Sequence, residues 1–190
     1  MTKNKGNLIV ISGPSGVGKG TVCQHLLAAC PDLKLSVSAT TRKPRSVDQE
    51  GVTYYFKTKD EFEAMIRQGA FLEWAMYNDN YYGTPLAPVQ EKLDAGLNVL
   101  LEIDVQGALH VKENFPKGIY IFIAPPDRET LRLRLTDRGT ETDEEISRRI
   151  AAAEDELAQQ NKYDYVVIND VLDDAVQSIK DIIQTRSVVL

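Results

Sequence analysis

A glycine-rich stretch near the N-terminus has the residue types and spacing of a phosphate-binding loop. Glycines reach backbone conformations that let successive N–H groups point at one anion, and a helix that starts there adds positive potential. Lys19 can extend to the β- and γ-phosphates of a nucleotide. The pattern therefore predicts a nucleoside triphosphate site, with a glycine-rich surface turn as the alternative. Its residues are Gly13, Pro14, Ser15, Gly16, Val17, Gly18, Lys19, Gly20 and Thr21.

The loop departs from the Walker A pattern at one position. The residue after the lysine, normally a serine or threonine whose hydroxyl binds Mg²⁺, is Gly20, and Thr21 follows one residue too late to be assumed equivalent. Glu102 and Asp104 are two residues apart at the end of a predicted strand. In enzymes with a phosphate-binding loop, an acid at such a position often helps to hold Mg²⁺. We expect Mg²⁺ to be held mainly by the phosphates of the nucleotide and by water, with these two carboxylates orienting the water.

Apolar runs that alternate with helical segments must position this loop. They predict an α/β fold in which a parallel sheet is flanked by helices, with ligands at the carboxyl ends of the strands. The predicted strands are Asn7–Ser12, Leu35–Ala39, Val99–Asp104, Ile119–Ala124 and Tyr165–Asn169. The predicted helices are Lys19–Cys30, Leu86–Ala95, Gly107–Phe115, Arg128–Arg138, Asp143–Lys162 and Leu172–Thr185.

Residues 40–84 interrupt this rhythm with an aromatic-rich segment. Two extended runs, Thr53–Lys57 and Phe71–Tyr77, flank a predicted helix over Lys59–Gln68. The pattern indicates a small mixed subdomain inserted into the parallel fold. Such an insertion favours a second-substrate site, and structural decoration is the alternative.

Two arginines inside the inserted segment are candidates for binding a phosphate group. Arg42 and Arg45 lie three apart around a proline, and Tyr54 and Tyr82 can add phenolic donors. Each guanidinium can donate two parallel hydrogen bonds to a dianionic phosphate. The spacing alone is also compatible with ordinary solvated surface.

The segment Thr40–Lys57 resembles the signature of the guanylate kinase family at every defined position. The similarity extends from about Asn7 to about Ile183 and includes several further motifs in the family's order. These motifs are Phe71–Ala75, Asn80–Thr84, Leu101–Gly107, Ile123–Pro126 and Arg138–Thr142.

The resemblance implies a role for each site residue. Glu73 would accept hydrogen bonds from guanine N1–H and N2–H₂, assisted by Asp104, and adenine offers no such arrangement of donors. Ser38 and Thr84 would supply hydroxyls near O6. The GMP phosphate would be bound by Arg42, Arg45, Tyr54 and Tyr82, and Asn169 would lie near the adenine of ATP, unless it is only a turn residue. The catalytic residues would be Lys19, Arg42, Arg134, Arg138 and Arg149.

The resemblance also implies an activity and a division of the chain. Mg²⁺ with ATP would phosphorylate GMP, and dGMP as well, by direct in-line transfer. A single domain over 1–190 would comprise a core (1–36, 87–127 and 150–190), a GMP-binding subdomain (37–86) and an arginine-bearing helical lid (128–149). The alternatives are another small-molecule kinase, a non-catalytic binding module and a GTP-binding switch.

Composition narrows the partners and the compartment. The net charge of −6 argues against broad binding to nucleic acid or to an anionic membrane, since both require a basic face. No apolar run approaches the length of a membrane span, and the N-terminal residues have no signal-peptide core. We therefore expect a cytoplasmic protein. The sequence leaves monomer and homodimer equally open.

Overall fold

The computed structural model describes residues 5–136 and 143–187. In chain order its strands are β1 (Leu8–Ser12), β2 (Leu33–Leu35), β3 (Ala39–Thr40), β4 (Tyr55–Phe56), β5 (Phe71–Tyr77), β6 (Asn80–Pro85), β7 (Asn98–Glu102), β8 (Ile119–Ala124) and β9 (Tyr165–Ile168). The helices are α1 (Lys19–Ala29), α2 (Lys59–Arg67), α3 (Leu86–Asp94), α4 (Val105–Asn114), α5 (Arg128–Thr136), α6 (Asp143–Leu157) and α7 (Leu172–Ser187), with a 3₁₀ turn at Gln160–Lys162.

The main sheet has five parallel strands in the order β2-β7-β1-β8-β9. The central strand β1 is apolar on both faces, as expected where helices cover both sides of a parallel sheet. Ile9 and Ile11 pack with residues of α1 and α7, while Leu8 and Val10 pack with residues of α3 and α4. The predicted α/β class, a parallel sheet flanked by helices, is confirmed.

A second, mixed sheet of four strands has the order β4-β3-β6-β5. The helix α2 covers it through Phe62, whose ring stacks on Phe71 with a centroid distance of 4.3 Å and on Tyr81 at 5.1 Å. A capping box fixes the start of α2, because Thr58 and Glu61 each accept from the other's backbone N–H. Phe62, Phe71 and Tyr81 therefore form a small aromatic cluster beneath the second sheet.

The hairpin of β5 and β6 contains two features that shape the site. Asn78 and Asp79 have positive φ values of 47° and 60°, which suit the two-residue turn between these strands. The register between the strands shifts between Phe71 and Glu73, so the neighbours Leu72 and Glu73 are both buried instead of pointing to opposite faces. This bulge turns Glu73 inward.

The predicted strand over Leu35–Ala39 is wrong. The chain leaves the main sheet after Leu35 and enters the second sheet at Ala39. Ser36 N still donates to Leu100 O of β7, whereas Ser38 O accepts from Tyr55 N in the second sheet. A continuous run of strand-forming residues does not reveal which sheet each residue joins.

Several other boundaries differ from the predicted ones, among them the ends of β7 and α6. The strand predicted to reach Asp104 ends at Glu102, because Asp104 caps α4 by accepting a 2.7 Å hydrogen bond from Gly107 N. The helix predicted to continue to Lys162 ends at Leu157 and is followed by the 3₁₀ turn. None of the helices in the described part of the chain is long and apolar enough to cross a membrane.

Candidate active site

The glycine-rich loop lies between β1 and α1, at the carboxyl edge of the main sheet. Gly13, Gly16 and Gly18 have φ values of 149°, 82° and 90°, a region that other residues rarely adopt. A β-carbon at Gly13 would overlap the carbonyl oxygen of Ile123 in β8. The backbone of the loop is therefore set by glycines that no larger residue can replace without strain, as the phosphate-binding interpretation requires.

Lys19 lies at the start of α1 and folds back over the loop. Its Nζ donates to Gly13 O at 2.6 Å and to Pro14 O at 3.1 Å. Burial lowers the pKa of Lys19, and the nearby carboxylates of Glu156, Glu102 and Asp104 act in the opposite direction. Three carboxylates therefore act on the lysine charge: one from α6, one from β7 and one from the cap of α4.

Glu102 occupies the space beside Gly20, the position that departs from the Walker A pattern. A β-carbon at Gly20 would lie 3.5 Å from Glu102 Oε1, in ordinary contact. Burial raises the pKa of Glu102, and Lys19 lowers it in part. Carboxylate oxygens and water are the ligands that Mg²⁺ prefers, so Glu102 and the neighbouring Asp104 fit a hydrated ion beside the loop.

The helix α6 contacts the tip of the loop with two charged side chains. Arg149 Nη2 donates to Ser15 Oγ at 3.0 Å, and Ser15 N donates to Glu156 Oε2 at 3.2 Å. Burial raises the pKa of Glu156, and the hydrogen bond from Ser15 opposes that shift. Arg149 therefore contacts the loop, and its catalytic role stays a prediction. Glu156 is a residue at the loop that sequence analysis missed.

Asn169 also reaches the loop, from the end of β9. Its side-chain Nδ2 donates to Val17 O at 2.8 Å, and its backbone carbonyl oxygen accepts from Arg134 Nη1 at 3.1 Å. The side chain is buried and would meet a β-carbon placed at Gly18. Asn169 therefore supports the loop and holds Arg134 near it.

A cavity of about 300 Å³ lies between the two sheets. Glu73 projects into it and is only 8% exposed. Thr84 Oγ1 donates to Glu73 Oε1 at 2.7 Å, which fixes the carboxylate. Burial raises the pKa of Glu73, the Thr84 hydrogen bond lowers it, and the Asp104 charge raises it. The lining contains Ser38, Tyr54, Glu73, Ala75, Tyr77, Tyr82, Gly83, Glu102, Ile103 and Asp104.

Arg42 is held by Asp48. The two side chains form an ion pair at 2.9 Å, and the same Asp48 oxygen accepts from Arg45 N at 2.7 Å. This backbone hydrogen bond is the main cause that lowers the pKa of Asp48. The guanidinium of Arg42 lies 5.3 Å from the ring centre of Tyr54. Sequence analysis assigned no role to Asp48, although an acid six residues after Arg42 is part of the signature.

Two of the predicted arginines are not placed in the site by described side-chain contacts. Arg45 is exposed at the rim, and only its backbone has a described hydrogen bond. Arg138 lies outside the described residues. Arg128 lies on the surface, and its ion pair with Glu154 is 3.7 Å long and well exposed. A larger cavity of about 520 Å³ opens beside Leu93 and Phe115. It lies at the amino ends of the strands, at the opposite edge of the sheet from the loop.

Comparison with known proteins identifies the family. The family model described as guanylate kinase matches residues 5–186. The chain belongs to the guanylate kinase family. It is 56% identical over 181 residues to a guanylate kinase of Caldanaerobacter subterraneus subsp. tengcongensis, covering 95% of this chain and 88% of the relative. It is 52% identical over 183 residues to that of Halalkalibacterium halodurans, covering 96% and 90%.

A solved guanylate kinase structure has the same fold. The crystal structure of the guanylate kinase from Anaplasma phagocytophilum aligns with a TM-score of 0.75 at 32% identity, covering 97% of this chain and 87% of that one. The guanylate kinase resemblance and the fold class predicted from the motifs are therefore both confirmed, and the chain is a phosphotransferase of this family.

Proposed function

We propose that this chain transfers the γ-phosphoryl group of ATP to GMP, giving ADP and GDP, in purine nucleotide metabolism and GMP recycling. The observation that carries the proposal is the buried carboxylate of Glu73 in a cavity beside the carboxyl edge where the phosphate loop lies. A buried acceptor at that place selects a base with adjacent N–H donors. The family membership supports the same reaction.

Guanine recognition follows from the acceptor pattern of the cavity. Guanine presents N1–H and N2–H₂ side by side, whereas adenine has no donor at N1. Thr84 uses one oxygen of Glu73, so the carboxylate is already oriented before the base arrives. Asp104 adds a second acceptor in the same cavity, and Ser38 supplies a hydroxyl for O6. These residues are proposed to contact the base and not the sugar. Because GMP and dGMP carry the same base, we propose that dGMP is accepted as well.

The phosphate of GMP is bound at the rim by Arg42, Arg45, Tyr54 and Tyr82. Arg42 is pre-oriented by its ion pair with Asp48 and by the Tyr54 ring, so little side-chain entropy is lost when it binds an anion. The exposed Arg45 can turn toward the same group.

The triphosphate of ATP is bound by the loop from Gly13 to Thr21, with Asn169 at the adenine end. Lys19 extends from its present position to the β- and γ-phosphates. Arg134 and Arg149, with Arg138 of the lid, supply positive charge as the phosphoryl group moves, which is the main contribution a protein makes to this reaction. Mg²⁺ bound to the ATP phosphates would neutralise charge there, with Glu102 and Asp104 orienting its water ligands.

The proposed subdomains correspond to the two sheets and to the segment that contains α5 and the start of α6. We propose that 1–36, 87–127 and 150–190 form the core, that 37–86 form the GMP-binding subdomain, and that 128–149 form a lid. In-line transfer requires the two nucleotides to approach, so subdomain and lid close over them and exclude water. We place the protein in the cytoplasm, where both nucleotides are available.

A coupled assay with ATP and a panel of GMP, dGMP, AMP and UMP tests this function. We expect GMP to give the highest kcat/KM and AMP and UMP to react at least about a hundredfold more slowly, since a lost donor leaves Glu73 unpaired. A preference for AMP would refute the guanine assignment. Protein that binds GMP but shows no turnover with any acceptor would favour a binding module instead.

A further inference from the structure

Glu156 makes a contact that the reaction outlined above does not use. It comes from α6 and accepts a hydrogen bond from the backbone N–H of Ser15, at the tip of the phosphate loop. Backbone N–H groups of such a loop are donors for phosphate oxygens. A carboxylate oxygen is the protein group that most resembles a phosphate oxygen, and here one is bound at the loop.

The electrostatic surroundings of Glu156 agree with a carboxylate that stands in the place of a phosphate oxygen. Among the carboxylates that act on Lys19, Glu156 has the largest effect. Lys19 meanwhile donates to two carbonyl oxygens of its own loop, Gly13 and Pro14, so its ammonium group is hydrogen-bonded within the loop. The loop thus has an anion beside its tip and its lysine charge is balanced within the protein.

The face of α6 that carries Glu156 is docked on the loop at several points. Arg149, Ala153 and Glu156 are spaced by four and three residues, so they share one face of the helix. Arg149 donates to Ser15 Oγ, and Ala153 is 1% exposed in a cluster with Leu131 and Leu135 of α5. Leu135 in turn lies against Gly16, where an added β-carbon would come within 2.7 Å of its Cδ2.

We propose that Glu156 is a positioning residue that occupies the anion side of the phosphate loop until the ATP triphosphate displaces it. The inference rests on the proposed role of the loop in binding ATP. Each ATP that binds must break the contact of Glu156 with Ser15 and bring its own negative charge toward that carboxylate. Glu156 therefore weakens triphosphate binding, and its release frees α6 to bring Arg149 from Ser15 to the phosphates.

Two isosteric variants on the same helix test this inference. Glu156→Gln keeps the shape and an acceptor oxygen but removes the charge, whereas Glu154→Gln removes the same charge from an exposed position paired with Arg128. Calorimetry measures Kd for inorganic tripolyphosphate and for GMP in each protein. Tripolyphosphate lacks a base, so it reports the loop alone, and the Kd for GMP reports an intact fold.

We expect Glu156→Gln to bind tripolyphosphate about tenfold more tightly than the wild type, because a neutral hydrogen bond to Ser15 replaces a charged one and competes less with the anion. The Kd for GMP should stay constant, and Glu154→Gln should match the wild type for both ligands. A Kd for tripolyphosphate that is unchanged or weaker in Glu156→Gln would overturn the inference and make Glu156 a support of the loop. Wild-type protein that binds neither tripolyphosphate nor ATP would overturn the proposed function as well.

Discussion

Replacing Glu73 with glutamine removes the charge that we propose selects guanine and leaves the shape of the cavity intact. The carboxylate accepts from Thr84 on Oε1 and keeps its remaining lone pairs for the base. A glutamine amide has one acceptor oxygen and one NH₂ group. Whichever way it turns, one hydrogen bond to guanine becomes neutral and another is lost or faces a donor.

The magnitude follows from the two bonds affected. A hydrogen bond to a charged group contributes about 1.5–3 kcal/mol and a neutral one about 1 kcal/mol, so the variant loses about 3 kcal/mol of binding to the base. This corresponds to a fall of about 150-fold in kcat/KM for GMP, with kcat/KM for AMP nearly unchanged. The assay is the coupled measurement of ADP formation with both acceptors, and Glu91→Gln, an exposed position on α3, is the control.

Thermal unfolding separates this loss from damage to the fold. Burial raises the pKa of Glu73, so the folded state binds that proton more tightly than the unfolded state does. The ionised carboxylate therefore costs stability, and the cost is complete above the raised pKa. Glu73→Gln should unfold at a higher temperature than the wild type at neutral pH while losing GMP activity. A GMP-to-AMP preference that changes by less than about threefold would refute the proposed role of Glu73.

Further predictions concern the pH dependence, the phosphate loop and the ion pair of Arg42 with Asp48. Protonation of Glu73 turns an acceptor into a donor, so kcat/KM for GMP should fall as the pH drops through its raised pKa; a pH profile of Glu73→Gln with the same acid limb would contradict this. Lys19→Ala should lower kcat by about a thousandfold with circular dichroism unchanged, and surviving turnover would place the chemistry elsewhere. Gly13→Ala should lower the free energy of unfolding in urea by about 3 kcal/mol, because the added methyl overlaps a β8 carbonyl oxygen; a variant as stable as the wild type would show that the loop can shift. Asp48→Asn should raise KM for GMP about tenfold by releasing Arg42, and an unchanged KM would mean that the ion pair does not orient it.

The sequence predicted what depends on local pattern. Glycine spacing marked the loop, apolar runs marked β1 and β8, and acids at the end of β7 marked Glu102 and Asp104. The positions of the loop and of the two strands are confirmed, because periodicity and turn chemistry depend on neighbouring residues. The roles of Glu102 and Asp104 stay predictions. The motif resemblance then identified the family, which the comparisons confirm.

What the sequence did not predict depends on contacts between distant segments. Nothing near Glu156 indicates that it bonds to Ser15, 141 residues away in the chain, because one acid among several on α6 has no local signal. The bulge that buries Glu73 arises from the pairing of β5 with β6 and not from the composition of β5. The division of residues 33–40 between two sheets is likewise decided by the partners that each strand finds.

The position of the inserted sheet has a consequence for how the chain folds. β2 pairs with β7, so Leu33 lies opposite Asn98, and the whole second sheet is contained in the intervening loop. Closing a loop of about 65 residues costs about 1.5 kcal/mol more than closing one of about ten. A second sheet that forms first, from its own hairpin and capped helix, shortens the flexible part of that loop. The segment proposed to bind the base would then also guide the edge strand of the main sheet into place.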